Sequence, residues 1–313
     1  MNHIYNLADI HLLQPSVVTI GVFDGVHIGH QHLIRQLVAE AHAAGRLAVV
    51  LTFFPHPDVV LRNIEGRYYL TTPDERAQLL LDLGVDYVIT HPFNEETRMI
   101  RAADFVELLL RHLRLSELWV GADFALGYRR EGDVPFLTEQ GTAKGFRVNV
   151  VDMLQAEATG MVISSTLIRR ALAEGQVEQV RQWLGRSYQV SGTVIHGQKR
   201  GRMIGFPTAN MEVWEQQVIP ANGIYASWAY YNGVRYMAMT NVGVSPTFGN
   251  KDVTVEPYLL DFDREIYGEA LTVSFEKYMR PELKFDNLED LIARIQQDVI
   301  EGREFLTTME RTP

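Results

Sequence analysis

The first half of the chain alternates continuous apolar runs with segments of helical spacing. VVTIGVF (17–23), LAVVLTF (47–53), YVIT (87–90), LWVGAD (118–123) and FRVNVVD (146–152) are short apolar stretches bounded by polar or glycine-rich residues. Such runs predict strands buried on both faces. IGHQHLIRQLVAEAHAAG (28–45) and TPDERAQLLLDLG (72–84) predict helices that close on glycine, the second opening with Pro73 and acidic residues. A further helix is predicted near 101–113. Strand and helix in alternation predict a parallel sheet covered on both faces. Its ligand would sit at the carboxyl ends of the strands, where the first turn, GVFDGVHIGH (21–30), falls.

From about residue 186 the period changes. SYQVSGTVIHG, GIYASWAYYN, VRYMAMTNVG, VTVEPYLLDF and ALTVSFEKYM are β-branched and aromatic runs, and the turn YNGV (231–234) is a hairpin signal. They predict an antiparallel barrel or sandwich. A final helix from about Asn287 to beyond Glu304 carries Leu288, Leu291, Ile292, Ile295 and Val299 on one face, which predicts a packing element. The economical division is an α/β domain over 1–185 and a β domain over 186–313.

Composition narrows this picture. The 313 residues are 46% hydrophobic and 22% charged, as in an ordinary globular protein. The net charge of −10 argues against a broad nucleic-acid or anionic-membrane surface, yet leaves room for a local basic pocket. The absence of cysteine excludes disulfides, thiolate metal sites and a cysteine nucleophile. MNHIYNLADIHLLQP lacks the basic segment and apolar core of a signal peptide, and no run reaches membrane-helix length, so the cytoplasm is the expected compartment.

Three readings compete for GVFDGVHIGH. His27 and His30, three apart, could share a zinc ion, but no third ligand is evident. A dinucleotide fingerprint fails because G-x-G-x-x-G is absent. A structural turn with incidental histidines remains. Placement favours a phosphate site, since a buried strand leads into a helix N-terminus whose free N–H groups and positive dipole end suit phosphate. Gly25 and Gly29 would let backbone and ligand approach closely. GRMIGFPTAN (201–210) is on its face a turn, but hydroxyl and amide oxygens two residues apart suit a hard cation such as Mg²⁺. No Walker A pattern occurs, which excludes a P-loop kinase.

His27-Ile28-Gly29-His30 resembles the H-x-G-H signature of the nucleotidyltransferase superfamily. The longer GVFDGVHIGH resembles the FMN adenylyltransferase module of bacterial bifunctional riboflavin kinase/FAD synthetases. TFFPHP (52–57), YLTTPDERAQLL (69–80), VGADFALGYRREGD (120–133) and ISSTLIR (163–169) follow in the expected order. HGQKRGRMIGFPTAN resembles the approach to the PTAN motif of riboflavin kinases. The resemblance implies a Rossmann-like nucleotidyltransferase domain and a β-barrel kinase domain. Riboflavin would be phosphorylated to FMN with Mg²⁺·ATP, and FMN adenylylated to FAD with loss of pyrophosphate.

The same resemblance implies roles for single residues. His27 and His30 would contact ATP phosphates, with Gly21, Phe23, Asp24, Gly29 and Asp123 around the nucleotide. Asp24 stays open between a structural turn residue and a nucleotide contact. Ser164, Ser165, Thr166 and Arg169 would bind triphosphate at a helix start, against the plainer reading of serines as an N-cap. Phe124 and Arg129 fall in the segment facing adenine and phosphates. Ala125-Leu126 replaces a pair that often includes arginine, and His56-Pro57 would shape either the FMN side or a strand-end turn. In the kinase, Thr208 and Asn210 would hold Mg·ATP, Gly197, Gly201 and Gly205 would form a flap beside Pro207, and Glu256 would be the general base. Pro257 next to that base predicts an edge strand or a bulge. Asn241, Pro246, Thr247 and Arg280 also match, with Arg280 either closing over a ligand or pairing with a surface carboxylate. The partners implied are riboflavin, FMN and ATP, with neither nucleic acid nor membrane; a homo-oligomer is compatible, but no interface is readable. A one-activity kinase and a non-catalytic flavin sensor are the alternatives; intact His27, His30, Ser164, Ser165 and Arg169 weigh against the first, and intact Thr208, Asn210 and Glu256 against the second. A tRNA synthetase would rest on the histidine motif alone.

Overall fold

The computed structural model describes residues 2–151, 163–197, 201, 204–247 and 250–311. Asp152, at the end of the last expected strand of the first half, lies outside them, as do 198–200 and 202–203 of the expected flap and Phe248-Gly249. The chain divides into two compact units, 1–165 and 166–313.

The first unit is built on a six-stranded sheet of order β1-β4-β3-β2-β5-β8. The strands are β1 (His3–Ile4), β2 (Ser16–Ile20), β3 (Leu47–Phe54), β4 (Tyr87–Pro92), β5 (Leu115–Gly121) and β8 (Arg147–Val151); the short pair β6 (Ala125–Leu126) and β7 (Gly132–Asp133) stands apart. All pairings within the large sheet are parallel, as the alternation predicts. Val17, Val18, Val49, Val50, Leu51, Val88 and Ile89 are almost wholly buried because helices cover both faces. Those helices include α1 (Ile28–Ala43), α3 (Pro73–Leu81), α5 (Ala102–Leu113) and α6 (Val134–Lys144). Thr72 caps α3 through a full capping box with Glu75.

The first apolar run does not stay extended to Phe23. Strand β2 ends at Ile20, and Phe23, Gly25 and Val26 take φ of 53°, 78° and 41°. A continuous apolar run therefore covers both a strand and the buried, left-handed loop that follows it.

The second unit contains a closed antiparallel barrel of order β10-β13-β12-β11-β14-β9, which decides between barrel and sandwich. Its strands are β9 (Tyr188–Ile195), β10 (Asn210–Val213), β11 (Gly223–Tyr231), β12 (Val234–Thr247), β13 (Asn250–Leu259) and β14 (Ala270–Arg280). The hairpin at 231–234 has positive φ at both Asn232 and Gly233, the geometry that matches strand twist. Pro246 and Thr247 lie at the far end of the β12–β13 hairpin. Helices α7 (Ser165–Ala173) and α8 (Val177–Leu184) join this unit because Ala221 N donates to Leu172 O and Arg181 stands 3.6 Å from the buried Glu276 carboxylate. The terminal helix, Leu288–Arg311, packs on the outer wall of the barrel, where a Cβ on Gly302 would stand 2.2 Å from Met239 Sδ.

Candidate active sites

In the first unit the strand ends Ile20, Phe54 and Gly121 share the carboxyl edge of the sheet, and the loop 21–27 leaves that edge into α1. His27 is the N-cap of α1, its Nδ1 accepting from His30 N at 3.3 Å. Acceptance at Nδ1 puts the proton of the neutral ring on Nε2. The His27 and His30 rings stack with centroids 3.6 Å apart, and Phe23 meets His30 edge-on at 5.1 Å. Two glycines make the cluster possible: a Cβ on Gly29 would stand 3.2 Å from the His27 ring, and one on Gly21 2.9 Å from Phe23. His30 Nδ1 is buried without a hydrogen-bond partner. Burial holds the His30 pKa well below its usual value, and neighbouring His27 pushes it the same way. The site is therefore an imidazole pair at a helix N-terminus, with His30 held neutral by its burial, able to offer hydrogen bonds to phosphate beside the dipole.

That depressed pKa carries a stability prediction. Below the ordinary histidine pKa of about 6.5 the unfolded chain takes up a proton at His30 that the folded chain refuses, so folding stability is lost as pH falls through that value. Unfolding of the first unit followed against pH should show a lower midpoint at pH 5.5 than at 7.5. The dependence should be shallower in His30→Gln, and an equally steep one would show that His30 does not contribute.

Asp24 is turned into the protein. It is 1% exposed, and its carboxylate accepts from Leu70 N at 3.0 and 3.2 Å and from Thr71 N at 3.3 Å. The turn reading is the one the structure displays, because three left-handed residues around Asp24 need an internal anchor. Ser165, first residue of α7, donates its hydroxyl to Asp24 O at 2.8 Å, which brings Ser164 and Ser165 to the same loop. Thr166 and Arg169 continue α7. Asp123 is exposed in the turn after β5, with its carbonyl held by Arg130 at 2.7 Å. Arg129 lies nearby with φ 52°. Phe124 packs against the core of the unit. His56 caps α2 (Pro57–Arg62) by accepting from Asp58 N at 2.9 Å, which puts His56 and Pro57 in the turn after β3. Among the described residues no group of three or more histidines and carboxylates is placed to hold a metal ion.

In the barrel two cavities meet at Thr208 and Gly201. One, of about 200 Å³, is lined by Gly197, Pro207, Thr208, Asn210, Phe262 and Tyr267 among others. The second, of about 290 Å³, is lined by Asn241, Glu256, Tyr258, Arg280, Leu291 and Asp298 among others. Glycines shape the approach to the first: a Cβ on Gly197 would stand 2.2 Å from the Asn210 amide, and one on Gly201 2.3 Å from Phe206 O. Gly205 takes φ +88°. Thr208 and Asn210 thus present oxygens in a cradle that a side chain would fill, which fits a magnesium ion carried by a nucleotide.

Glu256 and Asn241 are directly opposite each other across β13 and β12, and Asn241 Oδ1 is buried without a partner. Pro257 makes neither an edge nor a bulge. Register runs unbroken from Ala238↔Leu259 to Thr247↔Asn250, and Pro257 O accepts from Ala209 N at 2.9 Å. In a strand a residue's N and O point to the same side. The missing N–H therefore faces β10, where pairing with β13 is a single residue pair, and no bond to β12 is lost.

Arg280 is committed to Asp298 on the terminal helix, with Nε at 3.0 Å from both carboxylate oxygens and Nη2 at 2.6 Å. Its Nη1 donates to Pro281 O. It is a wall of the second cavity, held by a carboxylate that is 3% exposed and not by a surface one. The terminal helix is accordingly more than a packing element, because Leu291, Ile295 and Asp298 line that cavity. The sequence carries a signal for this: Asp298 sits three residues after Ile295 and one before Val299, a charge on the apolar stripe.

A family model described as FAD synthetase matches residues 9–167, and one described as riboflavin kinase matches 184–306. A bifunctional riboflavin kinase/FMN adenylyltransferase of Listeria monocytogenes is 40% identical over 94% of this chain and 94% of its own length. One of Escherichia coli K12 is 36% identical over 93% of each. A solved structure from Streptococcus pneumoniae described as a macrolide-efflux protein superposes with a TM-score of 0.86 at 30% identity, covering 96% of this chain and 98% of that one. In the present chain no helix among the described residues is long and apolar enough to cross a membrane. With two catalytic modules matched in sequence order and relatives aligned over nearly their full lengths, this chain belongs to the bifunctional riboflavin kinase/FMN adenylyltransferase family, enzymes that make FMN from riboflavin and FAD from FMN.

Proposed function

We propose that the two reactions are divided between the two constellations, with the functional boundary near residues 185 and 186. The observation that carries the kinase half is that Thr208 lines both barrel cavities while Asn210 lines one and Glu256 the other. ATP would occupy the cavity of Asn210 and riboflavin that of Glu256, so the γ-phosphate and the terminal ribityl hydroxyl would meet at Thr208. Glu256 takes the hydroxyl proton as that oxygen bonds to the γ-phosphorus and ADP leaves. The flap glycines 197, 201 and 205 and Pro207 close against the triphosphate, and Asn241 and Arg280 border the flavin. Thr208 and Asn210 would hold Mg²⁺, which neutralises charge on the transferring phosphoryl group.

In the first unit an FMN phosphate oxygen would attack the α-phosphorus of ATP and expel pyrophosphate. No covalent nucleophile is required, and the task is positioning and stabilising negative charge. His27 and His30 supply imidazole donors beside the N-terminus of α1, with Gly21, Phe23 and Gly29 as their packing. Ser164, Ser165, Thr166 and Arg169 are proposed on the triphosphate and Asp123 on the nucleoside. Asp24 acts by holding the loop. The cytoplasm, where ATP is supplied, is the proposed compartment.

Incubated with riboflavin, ATP and Mg²⁺, the purified chain should convert riboflavin through FMN to FAD, resolved by chromatography over time. Chelating the divalent cation should stop FMN formation, and excess Mg²⁺ should restore it. FMN formation undiminished by chelation would remove the metal role from Thr208 and Asn210.

A further inference from the structure

The terminal helix brings one buried carboxylate to the second barrel cavity, and the roles given above do not use it. Asp298, 3% exposed, accepts from Arg280 Nε at 3.0 Å to both oxygens and from Arg280 Nη2 at 2.6 Å. Four residues earlier on the same helix, Arg294 donates to Asp298 Oδ1 from Nε at 3.0 Å and from Nη2 at 2.7 Å. Arg294 Nη2 also stands 3.4 Å from Glu301 Oε2, so two guanidiniums and two carboxylates compensate one another. Desolvating such charges is costly, and apolar side chains of similar volume would ordinarily pack there without loss of stability. Arg294 holds the carboxylate from its own helix, which leaves Asp298 a fixed partner for Arg280.

The barrel strand is irregular where it delivers Arg280. Tyr278 pairs with Tyr225 and Arg280 with Ile224, so Met279 is an extra residue in a bulge of β14. A bulge re-aims the side chains beyond it, and in a regular ladder Met279 would oppose Ile224. Opposed residues share a face of the sheet, so the bulge puts Arg280 on the face of Ile224, which also lines the cavity. The helix is seated one turn beyond Asp298, where Gly302 lets it approach Met239, another lining residue. A guanidinium has five N–H groups. Asp298 takes Nε–H and one hydrogen of Nη2, and Pro281 O takes one hydrogen of Nη1 at 2.9 Å. One hydrogen on each Nη is left over, on a side chain that lines the cavity.

We propose that Asp298 is a positioning residue for riboflavin phosphorylation: it holds the Arg280 guanidinium in the cavity wall so that the two remaining N–H groups meet an uncharged acceptor of the flavin, such as a ring carbonyl oxygen. This rests on the reading of that cavity as the riboflavin site.

The test compares Asp298→Asn, Arg280→Met and the double variant Arg280→Met/Asp298→Asn in the full chain, with FAD formation from supplied FMN as an internal control. Arg280 lines the second cavity and not the first, away from the transferring phosphoryl group, so its contact is made equally in the bound and transition states. Loss of such a contact raises KM and spares kcat. Asp298→Asn should therefore raise KM for riboflavin about ten- to a hundredfold, the worth of one hydrogen bond from a charged donor, with kcat and KM for ATP within about threefold. The double variant should have the KM of Arg280→Met alone, because Asp298 acts through Arg280. Its thermal midpoint should exceed that of Arg280→Met, which leaves the Asp298 carboxylate with one guanidinium fewer. A riboflavin KM unmoved in Asp298→Asn, additive KM effects in the double variant, or a loss of activity that only tracks the unfolded fraction would each overturn the proposal. If Asp298→Asn does not fold, Asp298→Leu takes its place in the same comparison. Leu291→Trp, which narrows the same cavity from the helix side, separates the two readings. A riboflavin KM unmoved there as well would overturn the assignment of the cavity to riboflavin, and the proposal with it.

Discussion

Glu256→Gln should lower kcat for riboflavin phosphorylation by about 10²–10⁴, the range for removing a positioned general base. The glutamine keeps the volume and one oxygen, and KM for riboflavin should change little because the cavity keeps its shape. Glu256 is half-buried on β13, opposite Asn241, in a strand whose register is unbroken, so the substitution does not disturb pairing. FAD formation from supplied FMN should continue at the unmodified rate. If both activities fell together in a folded Glu256→Gln protein, the division into two independent sites would be wrong. Retention of phosphorylation would pass the base role to another group.

At the other site, substitution of His27 separates two jobs held by one ring. His27 Nδ1 caps α1, and loss of an N-cap costs about 0.5–2 kcal/mol. The same ring is proposed to donate to ATP phosphate, and loss of one such donor costs about 10²–10³ in kcat. His27→Ala should therefore lower both stability and FAD formation. His27→Asn restores a good cap, so it should be close to the unmodified protein in thermal midpoint and still be defective in FAD formation. His30→Ala should reduce FAD formation while sparing FMN formation, since His30 is not the cap. A fully active His27→Asn variant would reduce the histidine to a cap.

Much of this was legible in the chain. The alternation of apolar runs and helical periods specifies a parallel sheet, since strands buried on both faces must be apolar throughout. The change to β-branched runs after residue 186 specifies the antiparallel half. Strand β3 and helices α1 and α5 fall within a few residues of their predicted bounds, because each ends where glycine or polar residues interrupt the pattern. Helix α6 was not legible, since VPFLTEQGTAK has weak apolar spacing and an internal Gly141, which is buried against Phe146 O.

Sequence by itself determined which chemistry-bearing residues the chain owns and their order, because motifs such as HIGH and PTAN are local and their spacing is covalent. Tertiary structure decided where each of them points. Asp24 and Asp123 have the same side chain and lie on loops at the same edge of the sheet; one is buried in backbone hydrogen bonds and the other is exposed. Pro257 is harmless because its missing N–H faces the sparsely paired β10, a matter of register between strands and not of residue type. Arg280 belongs to Asp298, eighteen residues later on another element. Arg76 is a surface-type residue by composition, and its complete burial follows from where α3 lands on the sheet. Hydrophobic period fixes which face of an element is buried, but the partner of a polar group depends on contacts far apart in sequence, which no local pattern encodes.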